Sequence, residues 1–293
     1  FILGSILLGF SQANQQFYRY AAADNVSISL KSKAISLVLA GGLIAAILGP
    51  EVSRYSFDFF PNYIYLATYL FAAIIQIINF LILIFINIKK PIPSKKTNRP
   101  LGDVLLQKNL IIAILAAAVG YSLMSFIMTA TPLQIVNVCK LGDSASATVI
   151  QWHVIAMFAP SFFTGTIINS LGNRKVMMIG LFLYAFSISF TIIGQTIEHF
   201  WIALFLCGLG WNFLYVGGSD IIAKSALPEE RAKVQGVTDF IIFVFVATGS
   251  FLAGALHSTL GWEIMMFYTS IPIFILFMSV IIINPDGGIK ARH

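Results

Sequence analysis

Amides, a guanidinium, hydroxyls and aromatic rings recur at helical spacing inside runs that are otherwise apolar. Ser5, Gly9, Gln12, Gln16 and Arg19 fall at i, i+4, i+7, i+11 and i+14, one face of a helix. Ser146, His153, Ser161 and Thr164 share a second face at i, i+7, i+15 and i+18. Gly208, Asn212, Tyr215 and Ser219 form a third beside Trp211, Tyr121, Ser125 and Thr129 a fourth, and Asp239, Ser250 and His257 a fifth. A buried amide or guanidinium needs partners in a low-dielectric setting, so each stripe should face water, a solute or another polar helix. Gln12, Gln16, Arg19, Tyr121, Trp211, Asn212 and Tyr215 are therefore the expected binding residues, with Trp211 and Tyr215 suited to stacking on a planar or cationic solute. His153 and Asp239 are the candidates for proton exchange. The structural alternatives are a neutral His153 bonded to a neighbouring helix and an ion pair at Asp239. Gly208, Gly210, Gly217 and Gly218 are read as close-packing positions.

The elements that must carry these side chains are long apolar helices. Nine stretches qualify: 1–23, 34–50, 63–88, 109–131, 146–171, 176–196, 200–224, 238–257 and 262–283. About 20 apolar residues in a helix cover the roughly 30 Å hydrocarbon core of a bilayer. Apolar residues run continuously in them, without the alternation of a barrel strand. With 58% hydrophobic and 10% charged residues and a mean hydropathy of +0.88, no soluble domain could hide this much apolar surface. The expected class is an all-α integral membrane protein.

Basic residues set the orientation. Fifteen Lys and Arg, among them Lys31, Lys33, Arg174, Lys175, Lys224, Arg231 and Lys233, fall on one side of the nine-span topology. Only Arg54 and Lys140 fall on the other, and Arg19 lies inside a span. Such an asymmetry marks the basic side as cytoplasmic and puts the C-terminus there. The net charge of +6 then reflects topology and anionic head groups, and nucleic acid is not an expected partner.

The basic, proline-bearing loop 89–108 divides the chain into a three-span part, 1–88, and a six-span part, 109–293. Transporters are often built from two six-span halves, so three spans, on the order of 100 residues, are expected to be missing from the front. Asp24 with Lys31-Ser32-Lys33, and Asp220 with Pro228-Glu229-Glu230-Arg231, are then equivalent inner ends of the two halves.

Gly165-Thr-Ile-Ile-Asn-Ser-Leu-Gly172-Asn-Arg174-Lys175 is similar to the short cytoplasmic motif of the major facilitator superfamily, with Asn169 where that family usually has an acid. Gly49-Pro50 looks like a remnant of the fifth-helix motif of antiporters, but the later glycines are absent, so export is not inferred from it. Residues 150–165, 208–218 and 228–235 resemble one bacterial branch of the superfamily. The resemblance implies two six-helix bundles around a central cavity that opens to each side in turn. The visible helices would be the fourth to twelfth of twelve, with the third, sixth and ninth of the visible series facing lipid. It also implies a cytoplasmic gate of charged residues that part as the bundles rock: Asp24, Arg174, Asp220 and Arg231, with Arg174 and Asp220 the preferred pair because guanidinium matches carboxylate bidentately.

No Gly-x4-Gly-Lys-Ser/Thr loop and no His-Glu-x-x-His occurs, and no nucleophile, base or metal-ligand set converges, so neither an enzyme nor an ATP-driven pump is expected. Cys139 and Cys207 form no metal motif, and no disulfide or cofactor is expected. The expected function is a monomeric permease of the bacterial inner membrane that moves a small organic solute by alternating access, with proton coupling implied by the resemblance. Efflux of toxic compounds is the alternative direction, and a membrane scaffold or enzyme the rival class.

Overall fold

The computed structural model describes residues 2–56, 58–86 and 99–286, and no strand occurs among them. Helices are the economical outcome, because each satisfies its backbone groups within its own segment where no water is at hand. In chain order they are α1 (Ile2–Gln16), α2 (Tyr18–Asp24), α3 (Lys31–Ala40), α4 (Gly42–Ser56), α5 (Leu66–Ile84), α6 (Leu101–Leu105) and α7 (Lys108–Pro132). Then follow α8 (Asp143–Phe158), α9 (Ser161–Leu171), α10 (Asn173–Ile193), α11 (Ile197–Ser225), α12 (Arg231–Leu260), α13 (Trp262–Tyr268) and α14 (Ser270–Ile282). A 3₁₀ turn (Ile28–Leu30) leads into α3, and a π-helical turn (Leu133–Val138) extends α7.

Seven helical stretches among the described residues are long and apolar enough to cross a membrane, and the bent pair α8–α9 makes an eighth. Nine were expected. The difference lies at the front, where α1 and α2, 15 and 7 residues long, are separated at Phe17. There the hydrogen bonding tightens: Phe17 N–H donates to Asn14 O (3.1 Å) and Tyr20 N–H to Phe17 O (3.0 Å). Phe17 keeps right-handed dihedrals (φ −74°, ψ −18°), so the helical hand continues through a break that apolar patterning does not reveal. The second stretch runs past the expected stop at Pro50 as far as Ser56. Pro160 acts as expected: α8 and α9 meet there at a bend of 42°. Part of the loop 89–108 lies outside the described residues, as do the basic residues beyond 286. From Pro100 onward the loop is ordered as α6, which packs on α12 and buries Val104 completely.

Helices α7 to α14 form one bundle with α11 at its centre, packed against α7, α8 and α10. Lipid offers no hydrophobic drive between helices, so close contact of small residues supplies much of the association. A Cβ on Gly208 would meet His153 O at 2.6 Å and one on Gly218 would meet Ala113 O at 2.7 Å, which fits the packing role expected of this glycine stripe. This bundle is the second of two groups; the first comprises the helices before the loop, α1 to α5. Its α3 lies along α9 and α11, and α4 lies along α8. Helix α5 buries only Ala67, and its isoleucines and phenylalanines point outward, as expected of a lipid-facing helix.

Gly165 marks the tightest crossing between the groups. A Cβ there would stand 2.5 Å from Ser32 O and 2.7 Å from Lys33 Cα, both backbone atoms of α3 that cannot rotate away. Overpacking of this kind costs about 1–3 kcal/mol. Gly165→Val should therefore lower the thermal unfolding midpoint of the detergent-purified protein by about 5 °C or more. An unchanged midpoint would mean the two groups do not meet here.

Candidate functional site between the helical groups

Arg19 sits at the junction of the two groups, with its side chain 1% exposed. It comes from α2, two residues past the break at Phe17. Its Nη1 donates to Gln16 Oε1 (2.7 Å) and Gln16 O (2.9 Å), and its Nη2 to Asp239 Oδ1 (2.5 Å) and Tyr20 Oη (3.2 Å). Asp239, 8% exposed, belongs to α12, so this ion pair ties the first helical group to the second. The guanidinium also lies over two rings, with Cζ 4.3 Å from the Tyr20 centroid and 4.8 Å from that of Tyr215. Tyr215 of α11 donates its hydroxyl to Gln16 Oε1 (2.8 Å).

Around this node the aromatic side chains form a wall. Trp211 lies almost parallel to Tyr215 (4.9 Å between centroids, 17° between planes). Tyr121 of α7 meets both edge-on, at 5.3 Å and 5.2 Å. Phe243 stands 5.6 Å from Tyr121, and Phe158, at the end of α8, 5.7 Å from Trp211. Gln16, Tyr121, Phe158 and Phe243 are half-buried, whereas Arg19, Tyr20, Trp211 and Tyr215 are buried. The arrangement suits a flat, polarisable solute lying against rings, with hydrogen-bonding groups at one end.

Below the node, toward the Lys/Arg-rich ends, polar contacts close the gap between the groups. Asp24 Oδ1 lies 3.2 Å from Arg231 Nη1 and 3.5 Å from Lys31 Nζ. Lys31, itself buried, donates to Ala223 O at the end of α11 (2.8 Å). The Ser32 hydroxyl stands 2.7 Å from Asp220 Oδ1 and 3.1 Å from Asn169 Oδ1, while Asn169 Nδ2 donates to Ser29 O (3.1 Å). The neutral amide at 169 thus does what an acid could not, since it donates and accepts across the same seam.

The sequence profile of the Major Facilitator Superfamily matches residues 140–291. The riboflavin transporter RfnT of Brucella anthropi is 40% identical over 267 residues, which cover 90% of this chain and 67% of that protein. Two proteins of Bacillus subtilis named as uncharacterized MFS-type transporters, YdeG and YddS, are 28% and 25% identical, each match covering 85% of this chain. The chain spans 61–67% of the length of these three relatives. It belongs to the major facilitator superfamily.

Within this superfamily member, the structure brings Gln16, Arg19, Tyr121, Trp211, Tyr215 and Asp239 into one cluster. Gln12 stays outside it, exposed on α1, a turn away on the same stripe. Asn212 is a correction. Its Nδ2 donates to Met157 O (2.7 Å) and Ser161 Oγ (2.5 Å), and its Oδ1 accepts from Thr164 Oγ1 (2.6 Å). Both amide hydrogens and one lone pair of Oδ1 are thus spent within the second group, where the side chain braces the turn broken by Pro160. His153 takes the structural alternative, fully buried with Nδ1 2.7 Å from Leu204 O. A carbonyl only accepts, so Nδ1 carries the proton and holds the ring to α11.

The expected pairing of Arg174 with Asp220 is also corrected. Arg174 Nη2 donates to Ile281 O (2.8 Å), and its backbone N–H to Asp286 Oδ2 (3.1 Å), both inside the second group. Asp220 is held by Lys224 one turn on (2.7 Å), by Asn173 Nδ2 (3.0 Å) and by Ser32. Asp24 and Arg231 do meet, as residues of the expected gate. Tyr20 and the cross-seam roles of Ser32 and Asn169 were missed; for Tyr20 the signal was its adjacency to Arg19, and Asn169 was noted only as the place of an absent acid.

Removing the Asn212 amide deprives Met157 O and Ser161 Oγ of a buried donor, while Thr164 Oγ1 keeps Pro160 O. Asn212→Ala should lower the reversible unfolding free energy in detergent by about 1–3 kcal/mol. A change too small to measure would refute the brace.

Proposed function

We propose that the cluster around Arg19 and Asp239 is the solute site of a secondary transporter that works by alternating access. The supporting observation is one buried ion pair joining the two helical groups beside an aromatic wall of the second group, with Tyr20 of the first group against the guanidinium. A rocking motion must part Arg19 from Asp239, Asp24 from Arg231, and Ser32 from Asp220. None of these contacts survives an opening at the Lys/Arg-rich ends. The gate therefore consists of Asp24, Arg231, Lys31, Ser32 and Asp220, without Arg174.

The solute we propose is riboflavin or a close relative of it. A relative at 40% identity is named a riboflavin transporter, and the isoalloxazine ring is flat, aromatic and edged with hydrogen-bonding groups, which the Trp211–Tyr215–Tyr121 wall accommodates. The proposed direction is uptake across a bacterial inner membrane, with the Lys/Arg-rich ends and the C-terminus cytoplasmic and the monomer as the working unit. On the family plan, the helices of residues 2–86 take the fourth to sixth positions and those of 108–282 the seventh to twelfth. The inward proton gradient drives the cycle, and Asp239 exchanges the proton: neutralising it releases Arg19 and with it the lock between the groups.

Proteoliposomes holding the full-length polypeptide should accumulate labelled riboflavin faster with an acidic exterior than with no gradient. Arg19→Ala should cut the initial rate at least about tenfold, because it leaves a buried carboxylate alone. Uptake that ignores both the gradient and the substitution would overturn the mechanism, and no uptake under either gradient would overturn the choice of solute.

A further inference from the structure

The charged pair in the site is incomplete in a specific way. Guanidinium and carboxylate usually meet as a fork, two parallel hydrogen bonds between two nitrogens and two oxygens. Here Gln16 and Tyr20 draw the guanidinium round so that it meets Asp239 through one nitrogen and one oxygen only. Both Nη atoms are engaged, while Arg19 Nε is buried with no acceptor. Asp239 Oδ1 takes Arg19 and, more distantly, Tyr20 Oη (3.4 Å), whereas Oδ2 is buried with no donor. Nε and Oδ2 are the two unengaged polar atoms of one hydrogen-bonded pair of planar groups. A third orphan, Trp211 Nε1, is buried in the ring stacked on Tyr215. Buried polar atoms are nearly always paired, so three unpaired in one cluster point to a partner that comes and goes.

We propose that Arg19 Nε and Asp239 Oδ2 form the polar anchor for the solute, and that they recognise an adjacent N–H and C=O, the lactam or imide edge of a planar heteroaromatic ring. The N–H donates to Oδ2 and the carbonyl oxygen accepts from Nε. The rings of Tyr20 and Tyr215, which flank the guanidinium, set the plane of approach, and Trp211 Nε1 supplies a donor for an acceptor elsewhere on the solute. This rests on the reading of the cluster as the solute site. It goes further by naming the group recognised, which excludes aromatic cations and aromatic hydrocarbons of the same outline. It also gives Asp239 two linked tasks: as a carboxylate it accepts the solute's N–H, and its tie to Arg19 registers whether the edge is present.

The test uses two probes of equal shape. 1-Methylquinazoline-2,4-dione carries one N–H, at the imide edge of a fused aromatic ring, and its 1,3-dimethyl derivative differs by blocking that N–H. Calorimetric titration of the purified full-length protein should show the parent compound binding at least about tenfold more tightly. In Asp239→Asn the ratio should fall toward one, since the carboxamide can offer a donor where the carboxylate only accepted. Equal affinity in the unsubstituted protein overturns the proposal and is the result expected if a buried water alone satisfies Nε and Oδ2. Binding of neither probe also overturns it. Discrimination between the probes without any riboflavin uptake keeps this anchor and removes the solute named above. Riboflavin uptake inhibited equally by riboflavin and by its 3-methyl derivative does the reverse.

Discussion

A charge in a low-dielectric interior must be paired, and once paired it is costly to separate; the architecture of this protein is organised by that constraint. Arg19 and Asp239 come from helices on opposite sides of the seam, and neither could be buried without the other. Everything at the junction follows from holding that pair: Gln16 and Tyr20 engage the Nη atoms of the guanidinium, Tyr215 anchors Gln16, and the rings of Tyr20 and Tyr215 cover the cation. A charge pair that spans two moving bodies is also the most economical coupling device available. Moving the bodies and breaking the pair are one event.

The polar groups divide into two kinds by where their partners lie. Asn212, Ser161, Thr164 and His153 find partners only within the second helical group, and they stiffen it around the bend at Pro160. Gln16, Arg19, Lys31, Ser32 and Asn169 find partners across the seam. Bonds of the first kind let the group move as a rigid body, and bonds of the second kind hold one position of that body. Cross-seam contacts at the Lys/Arg-rich ends describe a state closed on that side.

Which residues belong to polar stripes could be read from spacing alone, and so could the membrane class, the kink at Pro160 and the outward-facing third span. What a stripe faces could not. Helical periodicity gives an angle around one axis but says nothing of the helix opposite, so Asn212 and Gln16 looked alike, although one proved a brace and the other part of the node. Charge complementarity misled in the same way at Arg174 and Asp220. Both lie at the inner ends of the same group, but the guanidinium turns to Ile281 O while Asp220 finds Lys224 a turn away. Local partners win because they require no long side chain to cross a gap. The cross-seam roles of Asn169 and Ser32 could not be read, since neutral residues at helix ends carry no signal until the facing backbone is known. The break at Phe17 was hidden because an apolar, helix-tolerant residue occupies it.

The central claim is that the buried Arg19–Asp239 pair keeps the two groups closed toward their Lys/Arg-rich ends. Its most direct measurement is the distance between spin labels at the exposed positions Ser27 and Ser170, one on each side of the seam, read by pulsed electron resonance in the full-length protein. The account predicts a short-distance population in the unsubstituted protein and a shift to longer distances in Arg19→Gln. Identical distributions in the two proteins would contradict it.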